Sequence, residues 1–469
     1  MPGVPTSRGC EACRKQKKRC DQEQPACSRC ARLGIPCIGG GARRFKFTEN
    51  RTPDASASAL QKQQGGGARR PPSVAYVAPA RALCGDAARL QASLINMLEV
   101  KDARYNLGYY GVFFAQLPCR VGVHPALDAA VAAVTHSAPC LFKQESSSLA
   151  LEKYGRALYM LRLSLQDGKV DLGVETLCAI YLLWISEDWI TGNSEGHLMH
   201  TAIIALILKN LARKPDLDDF QIQLLRTLCM AVLVHSVFDP RVHLDPHVIH
   251  RFLINGPRLP ANHQLLSPFE TLTVPNFARI PRLIHHPESH TTQLLTVYSH
   301  MASDFPKLRA IARSPTLVAR PNASLVAIRA QINYQTAYGL FLAVMTMLNR
   351  LCWVLGSERG VLDRELDVLV EEIQGLGERG LKLRPLGSHY MPMSLSAAWA
   401  ALTFDEGGRE RVEEIERLAG EYCSSESLME AWRARGAQTR RQFERLREKM
   451  DESGQVGLER GRVGVVVLD

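Results

Sequence analysis

Residues 10–37 read CEACRKQKKRCDQEQPACSRCARLGIPC and set six cysteines, Cys10, Cys13, Cys20, Cys27, Cys30 and Cys37, in the spacing C-x2-C-x6-C-x6-C-x2-C-x6-C. The two halves share one rhythm. Each C-x2-C pair can open a short helix that puts two thiolates on one face, and the third cysteine of each half returns after a six-residue excursion, which is metal-ligand geometry made twice. Two tetrahedral zinc ions need eight ligand positions, and six thiolates supply six. The first histidine of the chain, His124, lies far outside the segment, so two cysteines must bridge both metals. Spacing alone leaves open which two.

The large aliphatics of this segment are Leu33, Ile35 and Ile38, too few to fold it on a core. Structural zinc in small peptides contributes about 10–16 kcal/mol per site, which is enough. A disulfide knot would need an oxidising compartment, and a single four-cysteine site would not explain the duplicated spacing.

Between Cys13 and Cys20 lies Arg14-Lys15-Gln16-Lys17-Lys18-Arg19, five cations in six positions pinned by ligands on either side. The run C-x2-C-R-x-x-K-x-R-C-D, then Pro25-Ala26-Cys27 and Cys30-x3-Gly34-x2-Cys37, resembles the fungal zinc binuclear cluster (Zn(2)-C6 fungal-type) DNA-binding domain over residues 8 to about 47. The resemblance implies that Cys10 and Cys27 bridge two zinc ions per chain, with Cys13 and Cys20 completing one site and Cys30 and Cys37 the other. It also implies that the end of the first short helix enters the major groove of double-stranded DNA. There Lys17, followed by Lys18, would meet guanine, whose N7 and O6 both accept hydrogen bonds. Arg14, Lys15 and Arg19 would hold phosphates. The expected protein is a sequence-specific RNA polymerase II transcription factor of the nucleus that reads CGG-like triplets, contacts the transcription machinery and can pair as a homodimer on DNA. Gln16 departs from the family, which often has a cation there.

Charge supports this assignment. The formal net charge is +10, yet residues 1–70 hold 15 Lys+Arg against 5 Asp+Glu, leaving 42 against 42 for the remainder. A neutral body with one short basic end is the footprint of a polyanion binder, because cations release counterions condensed on phosphates. A sequence-indifferent nucleic-acid binder would want aromatic stacking residues among those cations, and only Phe45 and Phe47 stand near. The start, MPGVPTSRGC, has no apolar signal-peptide core, and apolar stretches such as Leu177–Ile185 fall short of about 20 residues, so a soluble intracellular protein with no membrane partner is expected. The seven scattered cysteines, Cys84, Cys119, Cys140, Cys178, Cys229, Cys352 and Cys423, read as buried reduced thiols.

Residues 48–82 are dominated by Ala, Ser, Gly, Pro and Gln and read as a disordered linker. From Leu83 the period turns helical. Leu151, Tyr154, Leu158, Leu161 and Leu165 predict one apolar stripe, as do Leu366, Leu369, Ile373 and Leu376, and Val412, Ile415, Leu418 and Tyr422. Cys178–Ile190, Thr201–Leu208 and Gly339–Leu355 are apolar enough for central helices. The expected architecture is therefore a small metal-stabilised binuclear zinc cluster domain, 1–47, and a large all-α domain, 83–450, followed by a loosely ordered tail, 451–469.

Within the large domain, Tyr154-Gly155-Arg156-Ala157-Leu158, Glu175-Thr176-Leu177 and Gly196-His197-Leu198-Met199-His200 resemble the helical regulatory domain that commonly follows this cluster in fungal regulators, as do Arg384-Pro385-Leu386-Gly387 and Trp399. No enzyme is expected: Asp218-Asp219 is not a diphosphate-binding aspartate motif, His243, His247 and His250 have no general-base context, and no glycine-rich phosphate loop appears. A zinc module fused to an all-α enzyme is the alternative. Ala87, Leu90, Leu94 and Met97 make an a/d pattern bounded by Asp86 and Lys101, under two heptads and too short to hold two chains together.

Overall fold

The computed structural model describes residues 9–23, 25–38, 85–143, 147–166, 173–191, 195–255, 271, 273–313, 324–404, 409–423 and 425–452. The chain divides into two compact units, 1–78 and 79–469. The expected linker, Phe45, Phe47 and Cys84 lie outside the described residues, as does the tail beyond Glu452.

In the first unit, α1 (Glu11–Lys15) and α2 (Ser28–Leu33) each begin at a cysteine sulfur acting as helix cap: Cys10 Sγ accepts from Cys13 N–H at 3.5 Å, and Cys27 Sγ from Cys30 N–H at 3.4 Å. Both helices end alike. Lys18 N–H donates to Cys13 C=O at 2.9 Å and Ile35 N–H to Cys30 C=O at 3.2 Å, the six-to-one bond of a Schellman turn. The residue inside each turn is left-handed: Gly34 at φ 62° in one, Lys17 at φ 51° in the other. Adding 17 to any residue number carries the first half onto the second. The relation extends to Glu11 N–H on Ile38 C=O at 3.0 Å and Ser28 N–H on Asp21 Oδ2 at 3.1 Å, where a carboxylate stands in for a carbonyl.

Among its described residues the second unit consists of helices and the turns that join them, with no strand. Its helices are α3 (Asp86–Leu98), α4 (Pro125–Lys143), α5 (Ser148–Gln166), α6 (Val174–Thr191), α7 (Glu195–Leu211), α8 (Asp219–Phe238), α9 (Pro246–Ile249), α10 (Val274–Phe277), α11 (Ile280–His285), α12 (Thr291–Arg313), α13 (Leu325–Val354), α14 (Arg359–Gly380), α15 (Met391–Phe404), α16 (Arg409–Tyr422) and α17 (Glu426–Glu452). One layer is built by α4, α5 and α6. In the other, α13 is wrapped by α12, α14, α15 and α17.

The stripes expected on α14 and α16 face the core. The one on α5 does not: Leu151, Leu158 and Leu165 are 47%, 40% and 39% exposed. The buried edge is Ala150 and Ala157, with Tyr154 and Leu161 half-buried beside them, about one residue round the helix. Small alanines let α4 and α6 come close, and the leucines splay outward. The a/d pattern of α3 is spent inside the unit, with Leu94 fully buried and Leu90 and Met97 packed on the core. Cys119 is exposed, contrary to expectation, because its 3-10 segment, Val112–Arg120, buries Phe113, Phe114, Leu117 and Pro118 instead. Cys423 is half-buried, while Cys140, Cys178, Cys229 and Cys352 are buried.

Two helices, α8 and α13, exceed the length and apolarity read from the sequence, each with a mean hydropathy of 1.4 over an 18-residue window. For α13, 83% of that window is buried, and the helix carries Asn349 and Arg350 inside the protein. Arg350 pairs with Asp363 at 2.9 Å, and Asn349 donates to Tyr298 at 2.9 Å. Fully buried Glu372 on α14 receives Arg309 at 2.7 Å, Tyr338 at 3.2 Å and Arg313, tying α12, α13 and α14 together.

Candidate metal centre and nucleic-acid interface

Six sulfurs converge because the two capped helices point their first turns at one another. Cys10, Cys13, Cys27 and Cys30 are buried, Cys20 and Cys37 half-buried, and all six are free thiols. The sulfur separations are 3.8 Å for Cys10–Cys27, 3.6 Å for Cys10–Cys30 and 3.8 Å for Cys13–Cys27. A disulfide needs about 2.05 Å. Four sulfurs held tetrahedrally at about 2.3 Å from zinc stand about 3.8 Å apart, so these three separations match a zinc site.

Two groups of four could each hold one ion, with all sulfurs in each within 4.8 Å of one another: Cys10, Cys13, Cys20 and Cys27, and Cys10, Cys27, Cys30 and Cys37. Cys10 and Cys27 belong to both. These two also receive the helix-capping N–H bonds, which hold the Cys10 thiol down to about 6 and lower Cys27 as well. Burial pushes Cys13 up to about 12 and raises Cys30. The outer thiols Cys20 and Cys37 accept from Cys10 N–H at 3.4 Å and Cys27 N–H at 3.3 Å. Metal uptake must therefore displace protons, chiefly from Cys13 and Cys30.

Residues 8–43 match the family of the fungal Zn(2)-Cys(6) binuclear cluster domain. The N-terminal unit is a binuclear zinc-cluster domain. Its cofactor is zinc, two ions per cluster. The chain is 61% identical over 31 residues to an uncharacterized transcriptional regulatory protein of Schizosaccharomyces pombe, covering 7% of this chain and 4% of the relative. It is 43% identical over 54 residues to the peroxisome proliferation transcriptional regulator of Saccharomyces cerevisiae, covering 12% of this chain and 5% of that protein. The chain thus spans a small fraction of these relatives' length. No solved structure matches the chain significantly.

Around the cluster domain the cations divide. Lys17, Lys18 and Arg19 are exposed at and just beyond the turn that ends α1. Lys15 is exposed and pairs with Glu11 at 3.2 Å. The side chain of Arg14 lies outside the described residues. Gln16 accepts from Arg29 at 2.7 Å, so the residue that departs from the family ties α1 to α2. The left-handed backbone of Lys17 was missed in the sequence. The signal was the 17-residue register, which places it opposite Gly34.

The histidines and acids weighed in the second unit do not assemble. His243, His247 and His250 are exposed around α9. Asp218 is the N-cap of α8, its Oδ1 accepting from Gln221 N–H at 2.8 Å in a capping box. Leu386, in the expected tight loop, is buried, and Trp399 donates to Glu416 at 2.9 Å, both packing roles. The side chains of 196–199 lie outside the described residues, while His200 bonds Glu187 at 2.9 Å.

Proposed function

We propose that the chain is a sequence-specific DNA-binding regulator of RNA polymerase II transcription that acts in the nucleus and reads CGG-like triplets. The observation that carries this reading is the turn at the end of α1: it holds Lys17 and Lys18 exposed while the Lys18 N–H donates to the C=O of the cluster cysteine Cys13. Zinc supplies the folding energy of the module. Cys10 and Cys27, common to both four-cysteine groups, would be shared by the two ions, with Cys13 and Cys20 completing one site and Cys30 and Cys37 the other. Lys17 and Lys18 reach base edges, and Arg14, Lys15 and Arg19 hold phosphates.

On this reading residues 83–450 regulate rather than catalyse and meet the transcription machinery. Since α3 spends its apolar face inside its own unit, any homodimer forms through other helices or on DNA. Competition binding of the full chain to a CGG-containing duplex against a random duplex tests the reading. Lys17→Ala is expected to weaken the specific complex by about 10- to 100-fold and the random complex much less. Equal losses on both would make Lys17 a phosphate contact and refute it.

A further inference from the structure

Along α17, Arg435, Arg441, Gln442 and Arg445 line a groove of about 770 Å³ closed on its other side by the C-terminal end of α8 and the segment containing Asp239 and Arg241. That is the size of a small-molecule site. Its charge is one-sided: four arginines face one carboxylate. That carboxylate is committed, because Asp239 Oδ1 accepts from Arg241 Nε at 3.0 Å and Oδ2 from Arg241 Nη2 at 2.8 Å.

Arg441 and Arg445 stand exposed at the rim, with no ion-pair partner among the described residues. Arg435 lies deeper. Asp188 and Asp239 are near enough to favour its charge, yet desolvation dominates and holds the guanidinium below its ordinary range. Among the described residues it donates no hydrogen bond. A half-buried guanidinium that makes no protein hydrogen bond, flanked by two exposed arginines without ion-pair partners, offers converging donors that match an anion. The neighbouring cavity of about 860 Å³ differs, since Lys449 pairs with Glu288 at 2.7 Å and Arg282 donates to His290 at 2.7 Å.

We propose that this groove binds a small polyanion, a phosphate ester or a di- or tricarboxylate, through the guanidinium groups of Arg435, Arg441 and Arg445. Arginine forks match both anions bidentately, and a concave floor with a charged rim selects a small ligand over an extended one.

The test is calorimetric titration of the full zinc-loaded chain with inorganic phosphate and, separately, with succinate, each against sodium chloride of matched ionic strength. Saturable binding of one names the ligand chemistry. Arg435→Gln is expected to weaken it at least about tenfold, whereas Arg447→Gln, on the same helix but stacked over Phe404, leaves it within about twofold. If Arg435→Gln fails to fold, the exposed pair Arg441→Gln/Arg445→Gln must produce the same loss. Loss confined to the groove variants separates this site from the basic run of the zinc module. Heat no greater than that of sodium chloride, or affinity retained in the groove variants, overturns the proposal.

Discussion

Replacing Lys17 by glycine separates the scaffold of the zinc module from its reading head. At φ 51° a lysine sits where the equivalent residue of the other half, at φ 62°, is Gly34. A residue with a Cβ in the left-handed region carries a penalty of about 1–2 kcal/mol. Glycine removes it, while the greater freedom of glycine in the unfolded chain takes back about 0.5–1 kcal/mol. The net expectation is that Lys17→Gly stabilises the folded module by about 0.5–1 kcal/mol. Because folding and metal binding are one equilibrium here, this appears as about two- to fivefold tighter zinc retention. Transfer of zinc from the full chain to a colorimetric chelator measures it directly. Lys15→Gly is the control, since glycine inside α1 costs about 1 kcal/mol and should loosen zinc instead. The same Lys17→Gly chain is expected to lose affinity for its specific duplex, strain and recognition residing in one residue. Zinc retention in Lys17→Gly that is no better than in Lys15→Gly would refute the strain argument.

Cys27→Ala removes a sulfur common to both four-cysteine groups, so elemental analysis of the full chain is expected to find neither zinc; one zinc per chain would contradict the shared role. Gly436→Ala would bring a Cβ to 2.5 Å from the Trp399 ring, which is fixed by its bond to Glu416 and by Trp432, so a loss of about 1–3 kcal/mol in urea unfolding is expected. Stability of the helical unit should also fall in acid through His285. Burial depresses its pKa below 6.5, and it is held neutral between Ser236 C=O at 2.7 Å and Gln442 at 3.4 Å. Below pH 6.5 the unfolded chain takes up the proton first, so stability present above that pH is lost as pH falls through the folded value. A His285→Gln chain should show a shallower decline in its pH-resolved unfolding midpoint, and an unchanged decline would assign the acid sensitivity elsewhere.

The cluster was legible in the sequence because its ligands lie within 28 residues and their spacing is the geometry. The helices were legible from period. What period does not reveal is the partner: the α5 leucines share a face, but two alanines decided which face approached α4 and α6. For the same reason α3 read as a helix whose partner the pattern could not name. The backbone of Lys17 was visible only through the internal repeat, and the lack of a protein hydrogen bond at Arg435 only once Asp239 had been committed to Arg241. Cys119 shows that residue type alone does not set burial in a short 3-10 segment.

The ties inside the zinc module run almost entirely through main chain and sulfur, with Asp21 and the Gln16–Arg29 pair as side-chain additions. The side chains of Lys17, Lys18 and Arg19 make no hydrogen bond or ion pair among the described residues. Substitution of the Lys18 and Arg19 side chains can therefore drift through a lineage without threatening the fold, whereas position 17 is held to residues that tolerate a left-handed backbone. Duplicated descendants of such a gene can part company in the sites they recognise long before their cysteines change.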